Sequence, residues 1–182
     1  PVSNPMKDWT DPAQLEEWEW PSLDYFDFSS LRDQVDRYSD YAIMTWPNYC
    51  SPSVFQSPIQ SLVGEERSFV MPLLDPDFFE AMVERILEFN VPFISRMFES
   101  AKQPDGRGID FFRIGDDFGS QRSLVMSPQM WRDFIQHPLK TMADTAKAHG
   151  AFYYHHSCGA IRELIPDLIN TGVDVLDPIQ VT

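Results

Sequence analysis

Short apolar runs and helix-spaced apolar positions alternate along the chain. Residues 41–46, Tyr-Ala-Ile-Met-Thr-Trp, form an apolar run stopped by Pro47, which predicts a buried strand. Residues 55–63 read as a helix closed by Gly64. Asp75-Pro76-Asp77 predicts a helix start: Asp75 caps, Pro76 fits the first turn, and Asp77 suits the positive end of the dipole. Phe78, Phe79, Met82, Val83, Ile86 and Leu87 then recur at the spacing of one helix face. Pro92 should break or kink that helix, and 93–98 resume its pattern. After a polar linker at 101–108, residues 110–114 predict a second strand. Ser127-Pro128 opens the next helix, with Trp131, Phe134, Ile135, Leu139, Met142 and Ala146 on its face, a kink at Pro138 and an end at Gly150. Residues 151–155 predict a third strand. Ile161, Leu164, Ile165, Leu168 and Ile169 mark another helix, Gly172 ends it, and 173–176 predict a fourth strand.

Strands that alternate with helices imply a parallel sheet with helical crossovers. Each predicted strand ends in an unusual polar turn, as in barrel enzymes, whose chemistry gathers at strand C-termini. No Gly-x-Gly-x-x-Gly follows a strand, so a dinucleotide-binding half is not indicated. The fold class expected is α/β, a partial (β/α)8 TIM barrel with about half of the barrel present, since a full one takes about 250 residues. Residues 41–182 are its central portion. Residues 1–40, rich in Trp, Asp and Pro, read as an aromatic arm that ends in a short helix at 31–38, with Ser29 or Ser30 as cap. Both ends read as cut points in a longer protein, and the remaining barrel segments are expected to be required for a stable fold.

Composition narrows the function classes. A hydrophobic content of 43% marks a globular chain. A net charge of -14 disfavours nucleic acid and anionic membrane as partners. No apolar run approaches bilayer length. Two cysteines, Cys50 and Cys158, are too few for a disulfide framework, and a cytoplasmic location is expected.

The sharpest chemical feature is His155-His156-Ser157-Cys158-Gly159. His156 and Cys158 are two apart, so on extended chain both side chains share one side. Imidazole nitrogen and thiolate sulfur are both good zinc ligands, and a catalytic zinc takes three protein ligands. The competing reading is a buried thiol beside a packing histidine. His155 points the other way and is expected to pack or hydrogen-bond. Cys50 could be a third ligand or a loop thiol. In Gly115-Asp116-Asp117-Phe118-Gly119, one carboxylate should face the barrel mouth and the other away, which makes Asp116 and Asp117 the catalytic candidates. Gln121 and Arg122 are candidates to orient a substrate carboxylate, and Asp177, in an Asp-Pro turn, is a third substrate-binding candidate. Phe111, Tyr153 and Trp46 are expected to fill the barrel.

The order and spacing of Ile114-Gly115-Asp116-Asp117-Phe118-Gly119-Ser120-Gln121, Ser127-Pro128-Gln129-Met130-Trp131, His156-Ser157-Cys158-Gly159 and Gly172-Val173-Asp174-Val175-Leu176-Asp177-Pro178-Ile179-Gln180 resemble the uroporphyrinogen decarboxylase superfamily. The resemblance implies a (β/α)8 barrel and two rival chemistries. In the cobamide-dependent methyltransferase branch, a His-x-Cys and a distant C-terminal cysteine hold zinc, which activates a thiol to accept methyl from a methyl-corrinoid. His156 and Cys158 fit that pattern, and the distant cysteine would lie beyond Thr182. In the decarboxylase proper, an arginine-rich N-terminal motif binds the tetrapyrrole without metal; it would precede Pro1. A third alternative is a barrel that binds without catalysis. The expected partners are a small-molecule substrate and, on the first reading, a corrinoid protein; a homodimer is one expected assembly.

Overall fold

The computed structural model describes residues 3–45 and 53–180. Trp46, the loop at 47–52 and Cys50, with the third-ligand role considered for it, lie outside the described residues. Helices α1 (Leu31–Arg37), α2 (Gln60–Val63), α3 (Glu65–Leu74), α4 (Pro76–Ala101), α5 (Pro128–Phe134), α6 (Gln136–Ala148) and α7 (Ile165–Thr171) alternate with strands β1 (Met44–Thr45), β2 (Phe111–Gly115), β3 (Phe152–His156) and β4 (Val175–Asp177). Among the described residues the strands form one parallel sheet in the order β1-β2-β3-β4. Sequential parallel pairing without a reversal is the wall of a (β/α)8 barrel, seen here over four strands.

Local signals explain most element ends. The Ser127 hydroxyl accepts the N–H of Met130 at 3.1 Å, with Pro128 in the first turn. The helix expected to kink at Pro138 is two helices, because proline cannot donate to the carbonyl four residues back, at Phe134, where α5 ends. Pro166 does no damage because it stands in the first turn of α7. Gly172, at φ 106°, closes that helix in the left-handed region.

Other expectations change. Ser30 and Asp75 make no side-chain cap hydrogen bond. Asp75 instead pairs with Arg67 at 3.2 Å, whose guanidinium also gathers the carbonyls of Met6, Lys7 and Trp9 and pins the N-terminal arm. Helix α4 runs unbroken through Pro92: Phe93, Ile94, Met97, Phe98 and Ala101 are buried beyond it, and packing outweighs a lost hydrogen bond. Residues 55–59 form a single π turn around Pro58 before α2. Helix α3, which no apolar period foretells, carries Pro72 and leaves Leu73 and Leu74 exposed.

The core lies between the sheet and its helices. Helix α6 packs on β3 and on α4. Along β3 burial alternates: Tyr153 and His155 are fully buried under the helices, while Phe152, Tyr154 and His156 face the barrel interior. Phe111 stacks on Phe152 on that interior side at 5.4 Å. Tyr153 lies beside Phe112 on the helix side, so it does not fill the barrel as its sequence position suggested. The arm belongs to the same core, since Met6, Leu15, Phe28 and Val35 are buried in it and Phe26 and Phe28 sit edge-on to Phe93.

The turns beyond β2 and β3 cross in contact. A Cβ on Gly119 would lie 2.7 Å from the backbone of Ala160 and 2.8 Å from that of Gly159. A Cβ on Gly159, at φ +91°, would lie 2.3 Å from Gly119. Only hydrogen fits at either position, and the Ala160 N–H donates to the Ser120 carbonyl at 2.8 Å across the crossing. Replacing Gly119 by Ala should therefore cost about 1–3 kcal/mol, seen as a lowered urea midpoint of the full-length protein with unchanged slope.

Candidate metal centre

Adjacent residues of an extended chain point to opposite sides, and Asp116 and Asp117 do so at the end of β2. Asp116 has no exposed surface. Its carboxylate accepts the Ser53 hydroxyl at 2.7 Å and the backbone N–H groups of Val54 at 3.0 Å, Phe55 at 3.2 Å and Gln56 at 2.7 Å. Burial pushes its carboxyl above the ordinary value, and these hydrogen bonds oppose the shift. Asp116 thus ties the segment at 53–56 to the strand end and is the carboxylate that faces away from the barrel mouth. Gln56 returns the link, accepting the Asp117 N–H at 2.9 Å.

Asp117 faces the mouth. Its Oδ1 accepts the Cys158 N–H at 2.7 Å and lies 3.7 Å from His156 Nε2. Cys158 Sγ is 3.4 Å from the same nitrogen. The three ligand atoms lie within 4.8 Å of one another, and all three residues are half-buried. Bonds of zinc length in a tetrahedron set N, S and O ligands about 3.3–3.6 Å apart, close to the 3.4 and 3.7 Å found from His156 Nε2 to Cys158 and Asp117. Partial burial and the carboxylates of Asp117 and Asp177 push the Cys158 thiol above its ordinary value. The surroundings thus disfavour further negative charge and suit a cation, which would offset it. The residues present fit zinc.

The β-sheet register supplies the surroundings. His156 pairs with Gly115 on one side and Asp177 on the other. A Cβ at Gly115 would meet the His156 Cβ at 3.0 Å, so the bare glycine makes room for the imidazole. Asp177 lies 3.3 Å from His156 Nδ1 and 3.3 Å from an Arg113 amine, and it is committed to these two. Burial alone would raise its carboxyl, but hydrogen bonds from His156 and Arg113 hold it below the ordinary value. Arg113, itself buried, lies over the Tyr154 ring at 5.2 Å. The Phe118 N–H donates to Ser157 Oγ at 3.0 Å, and the Gly159 N–H to Gln180 Oε1 at 2.8 Å. Three strand-end turns are thereby knit together.

Gln121 and Arg122 are exposed on the turn after Gly119 and stand outside this cluster. Gln56 and Ser53 were not singled out by sequence, and Arg113 stood out only as an arginine near a strand end. Arg113 alternates with Gly115 on β2, the period-two signal that could have found it. Ser53 and Gln56 lie some sixty residues away and carried no signal.

His155 packs away from the site as expected. It is fully buried and stacks on Phe118 at 5.6 Å, with burial first among the causes that hold its imidazole down to about 4. The folded state therefore refuses a proton that the unfolded chain takes up below about pH 6.5, so stability should fall as pH drops from about 6.5 to 4. His155→Phe, which keeps the stack, should flatten that decline in urea titrations of the metal-free, full-length protein. Asp116→Asn should cost roughly 2–3 kcal/mol in the same measurement, because an amide hydrogen replaces an acceptor among four donors.

A family profile described as uroporphyrinogen decarboxylase (URO-D) matches residues 60–178, well over half of the chain. Among solved structures, a methyltransferase from Methanosarcina mazei is similar at 19% identity and a TM-score of 0.58, over 82% of this chain and 40% of that one. A likeness at that identity is one of fold, and this chain spans less than half the length of that protein. A search of curated proteins finds no match. Four parallel strands in barrel order, polar turns at their C-terminal ends and the profile match together show that the chain belongs to the uroporphyrinogen decarboxylase (URO-D) family.

Proposed function

We propose that this chain is the central portion of a zinc-dependent methyltransferase that moves a methyl group from a methyl-corrinoid to a thiol or similar acceptor. The observation that carries this reading is the convergence of Asp117, His156 and Cys158 from two strand-end turns. Zinc held there would keep an acceptor sulfur as thiolate, its nucleophilic form. Asp117 is the third donor here, an oxygen beside His156 and Cys158, where the resemblance implies a distant cysteine. Gln121 and Arg122, exposed on the neighbouring turn, are proposed to meet the substrate as it enters. A reducing cytoplasm suits a site that needs Cys158 unoxidised, and no helix of the described residues is long and apolar enough to cross a membrane. The methyl-corrinoid would arrive on a corrinoid protein. Further barrel strands, and in the assembled enzyme a second copy, are proposed partners; Met44 and Phe152, now exposed on the barrel-interior side, would lie against such strands.

The rival reading, metal-free decarboxylation of a uroporphyrinogen-like substrate, draws on the name of the matching family. An octacarboxylate needs several arginines converging at one mouth, whereas Arg113 is engaged with Asp177 and Arg122 stands on an outer turn. Release of carbon dioxide from the porphyrinogen would favour it.

Metal analysis of the full-length protein tests the proposal. One zinc per chain is expected, lost in Cys158→Ala and in His156→Ala, together with methyl transfer from methylcobalamin to a thiol. Absence of zinc, or zinc unchanged by Cys158→Ala, overturns it. Because the Cys158 thiol is pushed up, zinc should displace about one proton near neutrality and bind roughly tenfold more tightly per pH unit gained. Calorimetry in two buffers of different ionisation enthalpy measures that proton.

A further inference from the structure

The two groups that flank His156 Nδ1 ask opposite things of it. Arg113 brings an amine to 3.1 Å, and a guanidinium can only donate. Asp177 brings both carboxylate oxygens to 3.3 Å, and a carboxylate can only accept. If Nδ1 accepts from Arg113, the ring proton sits on Nε2, pointing at Cys158 Sγ and Asp117 Oδ1, where a metal would bind. If Nδ1 donates to Asp177, Nε2 presents a lone pair to that same point. The Arg113 amine that approaches Nδ1 also lies 3.3 and 3.5 Å from the two Asp177 oxygens, so its hydrogens have a charged acceptor to face. The charge-assisted arrangement leaves Nδ1–H as the donor and Asp177 as the shared acceptor.

We propose that Asp177, clamped by Arg113, is a positioning residue that fixes His156 in the Nδ1–H tautomer and so keeps Nε2 ready for metal. This deepens the zinc reading above, and rests on it for its purpose. The sheet itself builds the device. Asp177 is the register partner of His156 on β4, Arg113 lies two residues before Gly115 on β2, and the side-chain-free Gly115 leaves room beside the His156 side chain. Asp177 is thus taken from its expected role in holding substrate and assigned to the ring. The Arg113 and Asp177 charges offset each other, as the Asp117 and Cys158 anions would offset a divalent ion. An outer carboxylate on a ligating imidazole raises its basicity and typically changes metal affinity 10–100-fold.

Nitrogen-15 NMR of the His156 ring in metal-free, full-length protein reads the tautomer directly. Wild type should show the proton on Nδ1, and Asp177→Ala should move it to Nε2 or leave a mixture. Asp177→Asn, whose amide oxygen can still accept, should retain the Nδ1 proton in most molecules. Zinc titration should give a 10–100-fold weaker Kd for Asp177→Ala, at an unchanged stoichiometry of one, and a smaller loss for Asp177→Asn. A wild-type ring protonated on Nε2, or a tautomer and Kd unmoved in Asp177→Ala, overturns the proposal. If wild type binds no zinc, the zinc reading fails while the tautomer measurement still decides the role of Asp177. Should Asp177→Ala fail to fold, the wild-type tautomer still decides, since a ring protonated on Nε2 overturns the proposal.

Discussion

The Asp116 carboxylate, sealed from solvent, gathers one hydroxyl and three consecutive backbone N–H groups from residues 53–56. Four donors aimed at one buried charge fix the end of β2 against the segment that follows β1. Because side chains alternate along the strand, fixing Asp116 inward forces Asp117 outward to the barrel mouth. Gln56 makes the coupling reciprocal, its N–H bound to Asp116 and its side chain to the Asp117 N–H. The position of the one oxygen ligand in the candidate metal centre follows from a neighbour that never touches it.

The same economy of backbone contacts joins the next turns. Gly119 and Gly159 cross where no side chain fits, Ser157 accepts from Phe118, and Gln180 accepts from Gly159. Cys158 lies inside this knot, with its N–H on Asp117 and its sulfur against His156. The site is held by backbone geometry on three strand ends, and such rigidity is what a metal centre of defined geometry requires. Two carboxylates beside a thiol make the pocket receptive to a cation, and Arg113 balances the outer one.

Much of the architecture was legible along the chain. The helix faces of α4, α5 and α6 follow from apolar spacing, and Ser127, Pro166 and Gly172 act at the ends as their chemistry requires; the helix expected from Ile161 onward is a 3-10 turn at Arg162–Leu164 followed by α7, on which Leu168 is buried and Ile169 exposed. The misreadings have one cause. Pro92 stays within a helix, Asp75 serves Arg67 rather than a cap, and α3 forms without an apolar stripe, because tertiary packing and side-chain pairing outweigh local preference. In the site, His156 and Cys158 were visible because both ligands sit two residues apart on one strand end.

By itself the sequence determined the alternation of strands and helices, the parallel barrel wall, the family likeness and the His-x-Cys pair, since each rests on local patterns and on their order along the chain. Tertiary structure alone decided that Asp116 is buried and Asp117 exposed to the mouth, that Asp177 and Arg113 bracket His156, and that Gly119 and Gly159 meet. Those facts depend on strand register and loop crossing between segments about 20 to 60 residues apart, and register is set only when the buried faces of all the strands are packed at once.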